Sequence, residues 1–154
     1  MVVIGSLAIG GIIIILFEQF YKQESTKKIE ELSYKEAALI GFIQCLSFIP
    51  GVSRSAATIF GGMWSGLSRR AAVEFSFLLA VPTMAAATGL DLLKNYKIIF
   101  LSGNALLLAI GFVVSFLVAL VSIKFLIRYV SQNNFIPFGV YRIIVAIVFF
   151  SIFF

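Results

Sequence analysis

The chain has 154 residues, of which 61% are hydrophobic and 12% charged, with a net charge of +5, a single cysteine and no histidine. A soluble domain carries roughly 25% charged residues, so this polar surface cannot coat a globule in water, and the mean hydropathy of +1.08 places the chain in a bilayer. Without histidine there is no Ser-His or Cys-His catalysis, no His-ligated zinc and no histidine relay within these residues; Cys45 alone allows no internal disulfide, and the scattered Lys and Arg read as interface anchors, with no nucleic-acid partner expected.

Residues 2–20 read as a first span. Positions 2–17 are uncharged and rich in Ile, Gly5, Gly10 and Gly11 offer close-packing points, and Glu18 closes the run. A signal peptide would begin with basic residues and lead into a polar mature domain, whereas more membrane-grade sequence follows here. No Lys or Arg precedes the run, which suits an internal segment better than an N-terminus. Residues 21–36 form a polar loop with equal numbers of Lys and Glu, read as solvated with some i,i+4 pairing.

From Ala37 to Ser68 the chain is apolar or small except for Arg54. As one helix it would measure roughly 48 Å at about 1.5 Å per residue, well over a ~30 Å hydrocarbon core. Pro50-Gly51 interrupts it, and proline followed by glycine ends a helix. The segment 37–68 is therefore predicted to be a re-entrant helix–loop–helix, whose broken backbone is satisfied by protein or a wet cavity. Arg69-Arg70 mark an interface, residues 71–90 are a span with Pro82 as a kink, and Asp91–Gly103 is a short loop. Spans follow at 104–128 and 138–154, joined by a turn over Asn133–Pro137. No internal repeat is visible.

The chemistry concentrates in P-G-V-S-R-S-A-A-T, Pro50 to Thr58. An arginine in an apolar segment costs from a few to above ten kcal/mol, roughly, depending on the reference, so its presence calls for a reason. Guanidinium is always charged and its forked donors fit phosphate oxygens. If the second arm begins at Ser53, that serine caps it, and the first-turn amides and the helix dipole favour an anion there. Arg54, Ser53, Ser55 and Thr58 then make a phosphate cradle with no base of its own, with the loop residues Gly51 and Val52 and the amide of Gln44 as further substrate contacts. The competing reading has Arg54 pairing with Glu18 or Glu74 and the hydroxyls serving as glue between helices. Gly62 and Gly66 read as a G-x-x-x-G packing face.

These residues resemble the undecaprenyl-pyrophosphate phosphatase family, also called the bacitracin-resistance proteins. The likeness runs through I-G-F-I-Q-C-L-S-F-I-P-G-V-S-R-S-A-A-T-I-F-G-G-M (40–63), G-L-S-R (66–69) and E-F-S-F-L-L-A-V-P (74–82), and more weakly through D-L-L-K (91–94) and Y-R-I (141–143). Ala56 stands where the family more often has Gly. The resemblance implies an all-α integral membrane protein with four transmembrane helices and one re-entrant helix–loop–helix, the second half of an inverted repeat, forming one membrane domain over 1–154.

It also implies hydrolysis of undecaprenyl pyrophosphate to undecaprenyl phosphate in the bacterial cytoplasmic (inner) membrane, from a pocket facing the outer side. Arg54 would hold the pyrophosphate, with Ser53, Ser55 and Thr58 around it. The family's other re-entrant pair supplies an acidic motif and a serine–histidine segment that work with a divalent cation, Mg²⁺ or Ca²⁺. On this reading the chain is the C-terminal half and is inactive alone; its partners are the isoprenoid pyrophosphate lipid, the bilayer, and either a second copy or an N-terminal half. The alternative from another class is a fragment of a lipid or anion transporter that binds phosphate groups without hydrolysis.

Overall fold

The computed structural model describes residues 1–21, 25–101 and 105–153, and the side chains of all of these except 98–101 and 105. Part of the polar loop (22–24), the junction before the span expected at 104, and residue 154 lie outside the described residues. Among the described residues six α-helices appear in chain order: α1 (Val2–Phe20), α2 (Tyr34–Gln44), α3 (Arg54–Trp64), α4 (Arg69–Leu101), α5 (Ala105–Val130) and α6 (Ile136–Phe153). Four of them, α1, α4, α5 and α6, are long and apolar enough to cross a membrane. Large apolar side chains stand exposed along them, Phe112 and Phe125 on α5 among them, which is the pattern of a surface solvated by lipid. The protein is all-α and multi-pass.

The contacts gather into two compact units. One comprises Met1–Ser76 with Val130–Phe154, the other Phe77–Tyr129. One correction concerns Asp91–Gly103. No loop begins at Asp91, because α4 continues to Leu101. Polar residues do not by themselves end a helix, and no Pro or Gly occurs from Asp91 to Leu101; Asn95 Nδ2 even donates back to the Asp91 carbonyl at 3.1 Å.

In the first unit α1 and α6 lie backbone against backbone. A Cβ added at Gly11 would fall 2.7 Å from the Gly139 carbonyl oxygen, and one at Gly139 would fall 2.7 Å from Ile15 Cγ1 and 2.8 Å from the Gly11 oxygen. Small residues permit this approach where no hydrophobic effect drives helices together. Phe17 on α1 stacks on Phe60 of α3 with centroids 4.4 Å apart, and Phe60 meets Phe135 edge-on at 5.7 Å. The most deeply buried side chains, Ile40, Met63, Leu67 and Val73, come from α2, α3, the α3–α4 junction and the start of α4.

The segment expected as a helix pair is one, broken where the sequence predicts. α2 and α3 have 11 residues each, about 16 Å apiece at 1.5 Å per residue, too short for either to span. A 3₁₀ turn (Cys45–Phe48) leads from α2 to Pro50. Gly51 takes φ +93°, a conformation open to glycine. α3 ends in a Schellman motif: Gly66 at φ +88° donates to Met63 O (2.9 Å), and Leu67 donates to Gly62 O (3.0 Å). The G-x-x-x-G reading is thus half right. Gly62 packs against Leu67 and Ala72, whereas Gly66 stops the helix.

The polar loop is docked, not simply solvated. Ser25 Oγ donates to Gly66 O, Lys27 pairs with Leu67 in a parallel bridge, and Ser68 N donates to Lys27 O at 3.0 Å. The start and end of the helix pair are therefore laced together. Lys27 Nζ also reaches Glu36 Oε1 at 2.6 Å, and Ser33 and Glu36 form a reciprocal capping box at the start of α2.

Two measurements test this framework. Gly139→Val overpacks the α1–α6 contact and should lower stability by about 1–3 kcal/mol, read as unfolding in detergent; an unchanged transition contradicts the backbone contact. The second concerns Glu36, whose carboxyl is pulled from its ordinary 4.5 to about 2, first by Lys27 and then by the Ser33 donors. Its folded pKa being depressed, its contribution is complete above 4.5 and is lost as pH falls through about 2. Lys27→Ala should move the Glu36 titration, followed by carboxyl ¹³C NMR, upward toward 4.5; no movement would assign the shift to Ser33 alone.

Candidate functional site

The turn from Pro50 to Ser53 opens directly onto α3. Ser53 is its N-cap, accepting from Ala56 N at 3.2 Å, and Ala57 N closes the first helical bond on Ser53 O at 3.0 Å. The first-turn amides at Arg54 and Ser55 precede any helical acceptor, so the positive end of α3 faces the turn. Arg54 is the first helical residue and half-buried, and Ser55 is exposed. Ser53, Arg54 and Ser55 thus stand together where the motif predicts.

Thr58 stands apart from them. It is 1% exposed, and its hydroxyl lies 3.0 Å from the Arg54 and Ser55 carbonyls and 2.7 Å from Ser76 Oγ. Ser76 Oγ in turn donates to Ser55 Oγ at 3.3 Å. Thr58 is therefore an inner support of the turn. Ser76, on α4, was missed because nothing in E-F-S-F-L-L distinguishes a serine that serves another helix from ordinary membrane glue. Gln44 is the half-buried last residue of α2, separated from the turn by the 3₁₀ segment.

The acids near the motif are taken up elsewhere. Glu18 Oε1 lies 2.6 Å from Arg69 Nη1, and Glu74 Oε1 lies 2.8 Å from Arg70 Nε. Arg69 Nη1 is not aligned as a hydrogen-bond donor and Glu18 Oε2 has no hydrogen-bond partner, so the first of these is a charge contact alone. The guanidinium of Arg69 also lies 5.9 Å from the Phe135 ring centroid.

The other residue the sequence reading passed over is Arg142, on α6. Its Nη2 donates to Gly51 O at 2.8 Å and to Ser6 O at 3.3 Å. The signal was present, since an arginine inside the apolar last span raises the same question as Arg54, but here it appeared only in the weak Y-R-I likeness. Gly51 is fixed from a second side as well. A Cβ there would fall 2.7 Å from Val3 O and 2.9 Å from Ser6 Cβ.

Beside the turn is a cavity of about 430 Å³, lined by Ile9, Ile13, Ile43, Leu46, Val52 and Ser53 among others, with Arg142 in its wall. The donor set around the turn, guanidinium groups, hydroxyls and amides, suits an anion. It does not suit the divalent cation that the family resemblance implies, and among the described residues no three His, Cys, Asp or Glu side chains are grouped to hold one.

Ser53→Ala removes the α3 cap and should lower stability by about 1 kcal/mol, while Ser53→Asp, which keeps an acceptor, should not. Equal unfolding of both variants in detergent would deny the cap its role.

Residues 1–148 match the family described as bacitracin resistance protein BacA. Among curated proteins, an undecaprenyl-diphosphatase of Wolinella succinogenes is 47% identical over 94% of this chain and 57% of its own length. One of Persephonella marina is 48% identical over 93% and 57%, and one of Methanococcus aeolicus 43% over 96% and 58%. The chain thus spans less than two thirds of these relatives' length, and the shares say how much of them it covers, not which half. With the family match extending over nearly all of its residues, the chain belongs to the bacitracin resistance protein BacA family.

Proposed function

We propose that this chain supplies the diphosphate-holding part of an undecaprenyl-pyrophosphate phosphatase in the bacterial cytoplasmic membrane. The observation that carries the reading is the Pro50–Ser55 turn, where a capped helix N-terminus presents Arg54 within an apolar setting in a family whose relatives are named undecaprenyl-diphosphatase. The chemistry is net hydrolysis: attack on the outer phosphorus breaks its bond to the bridging oxygen, which leaves with undecaprenyl phosphate, and one water is consumed in giving inorganic phosphate. Arg54 and the first-turn amides stabilise the charge that builds on the phosphoryl oxygens. Ser53 and Ser55 flank them, Thr58 and Ser76 hold Ser55 in place, and the apolar cavity beside Val52 and Ser53 has room for the first isoprenoid units of the lipid.

The helix pair is read as re-entrant. Its support is the lacing of Lys27 to Leu67 and Ser68, which brings entry and exit together, and the shortness of both arms. The pocket is read as open to the outer face. The nucleophile and the divalent cation are assigned to the part of the relatives' length that this chain does not span, so the chain alone is expected to be inactive; a second copy of the chain is the other partner to be tested.

Phosphate release from undecaprenyl pyrophosphate in detergent with Mg²⁺ or Ca²⁺ tests the proposal. The chain is assayed alone and co-expressed with the remaining length of the Wolinella relative. Release is expected in the co-expressed sample, falling by about 10²–10³ with Arg54→Ala, the loss typical of one oxyanion donor. Lipid binding without release in both samples would favour the transporter reading, and Arg54-dependent release by the chain alone would make it sufficient in itself.

A further inference from the structure

Arg142 is far from the turn in sequence and meets it only through the close approach of α6 to α1. Both of its hydrogen bonds leave from Nη2, one to the carbonyl of Gly51 at the turn's apex and one to Ser6 on α1. Space for that nitrogen is made by Gly10, where a Cβ would fall 2.6 Å from it. The acceptors Arg142 finds among the described residues are carbonyls, which orient a guanidinium without cancelling its charge. The charge therefore remains beside Val52 and Ser53, in the wall of the same cavity, where the positive end of the α3 dipole adds to it.

We infer that Arg142 is a positioning residue of the diphosphate site: it fixes the Gly51 carbonyl, and with it the turn that aims Arg54 and the first-turn amides, and it adds positive potential behind them. This rests on the phosphate-binding reading given above. A purely architectural role, tying α6 to α1, would treat charged and uncharged isoprenoids alike. The positioning role separates them.

The test is binding of farnesyl pyrophosphate and of farnesol, its uncharged alcohol, to the detergent-solubilised chain. Gly10→Ala is the cleaner variant, because it keeps the arginine and obliges only the far end of a flexible side chain to move. Arg142→Gln removes the charge, and Arg142→Lys restores it without the fork. Gly10→Ala and Arg142→Gln should each weaken the diphosphate by about tenfold, the loss of one hydrogen bond to a charged group. Farnesol affinity should change little, and Arg142→Lys should recover part of the diphosphate preference. Unchanged diphosphate binding in both of the first two variants would overturn the inference, as would equal losses for diphosphate and alcohol. A wild-type chain with no preference for the diphosphate would sink the phosphate-binding reading itself, and this inference with it.

Discussion

One guanidinium shared between two carbonyls holds the first unit's functional end in register. Arg142 Nη2 joins Gly51, on the turn between α2 and α3, to Ser6 on α1, and α6 carries that arginine into reach because Gly11 and Gly139 let the two long helices touch at the backbone. Three stretches remote in sequence are thereby fixed to one another: the first helix, the broken pair and the last helix. Each glycine in this arrangement has a separate physical reason. Gly10 leaves room for a nitrogen, Gly11 and Gly139 for a neighbouring backbone, and Gly51 for both a positive φ and the carbonyl of Val3.

Around that tie the candidate site is assembled from very few parts. A capped helix start brings Ser53, Arg54 and Ser55 together through local geometry. Other elements contribute support. Ser76 on α4 joins Thr58 to Ser55 through a chain of hydroxyls, and Ile43 on α2 packs against Gly61 of α3. Thr58 and Ser76 are buried, and hydroxyls tied to each other and to the Arg54 and Ser55 carbonyls in a low-dielectric setting are costly to turn.

What could be read in the sequence followed from local rules. The four long apolar runs give four long apolar helices, Pro50-Gly51 breaks a segment too long for one span, and Ser53 caps the helix that follows the break. What could not be read was non-local or depended on absences. Asp91–Gly103 reads as a loop from its charged residues Asp91, Lys94 and Lys97, although Asp91–Leu101 contains no Pro or Gly to break α4. Gly66 shares a spacing with Gly62, but only the backbone reveals that one packs and the other stops α3. Thr58 lies on the right helix to join the motif, yet its partner, Ser76, is eighteen residues away. Arg142 is separated from Gly51 by 91 positions, and no local pattern links them.

The lacing of Lys27 to Leu67 and Ser68 has a consequence for how the molecule is made. A ribosome delivers the chain from the N-terminus, so α2 is synthesised well before the residues that close the lace. Until Ser68 has emerged, the short first arm has neither its full neighbour α3 nor the Gly66–Ser68 segment on which residues 25–27 rest. An 11-residue helix in that condition cannot span the bilayer and leaves the carbonyls at its broken end without donors in hydrocarbon. On the re-entrant reading proposed above, the two arms wait at the interface and enter as one piece once Ser68 has emerged, unlike the stepwise insertion open to α1.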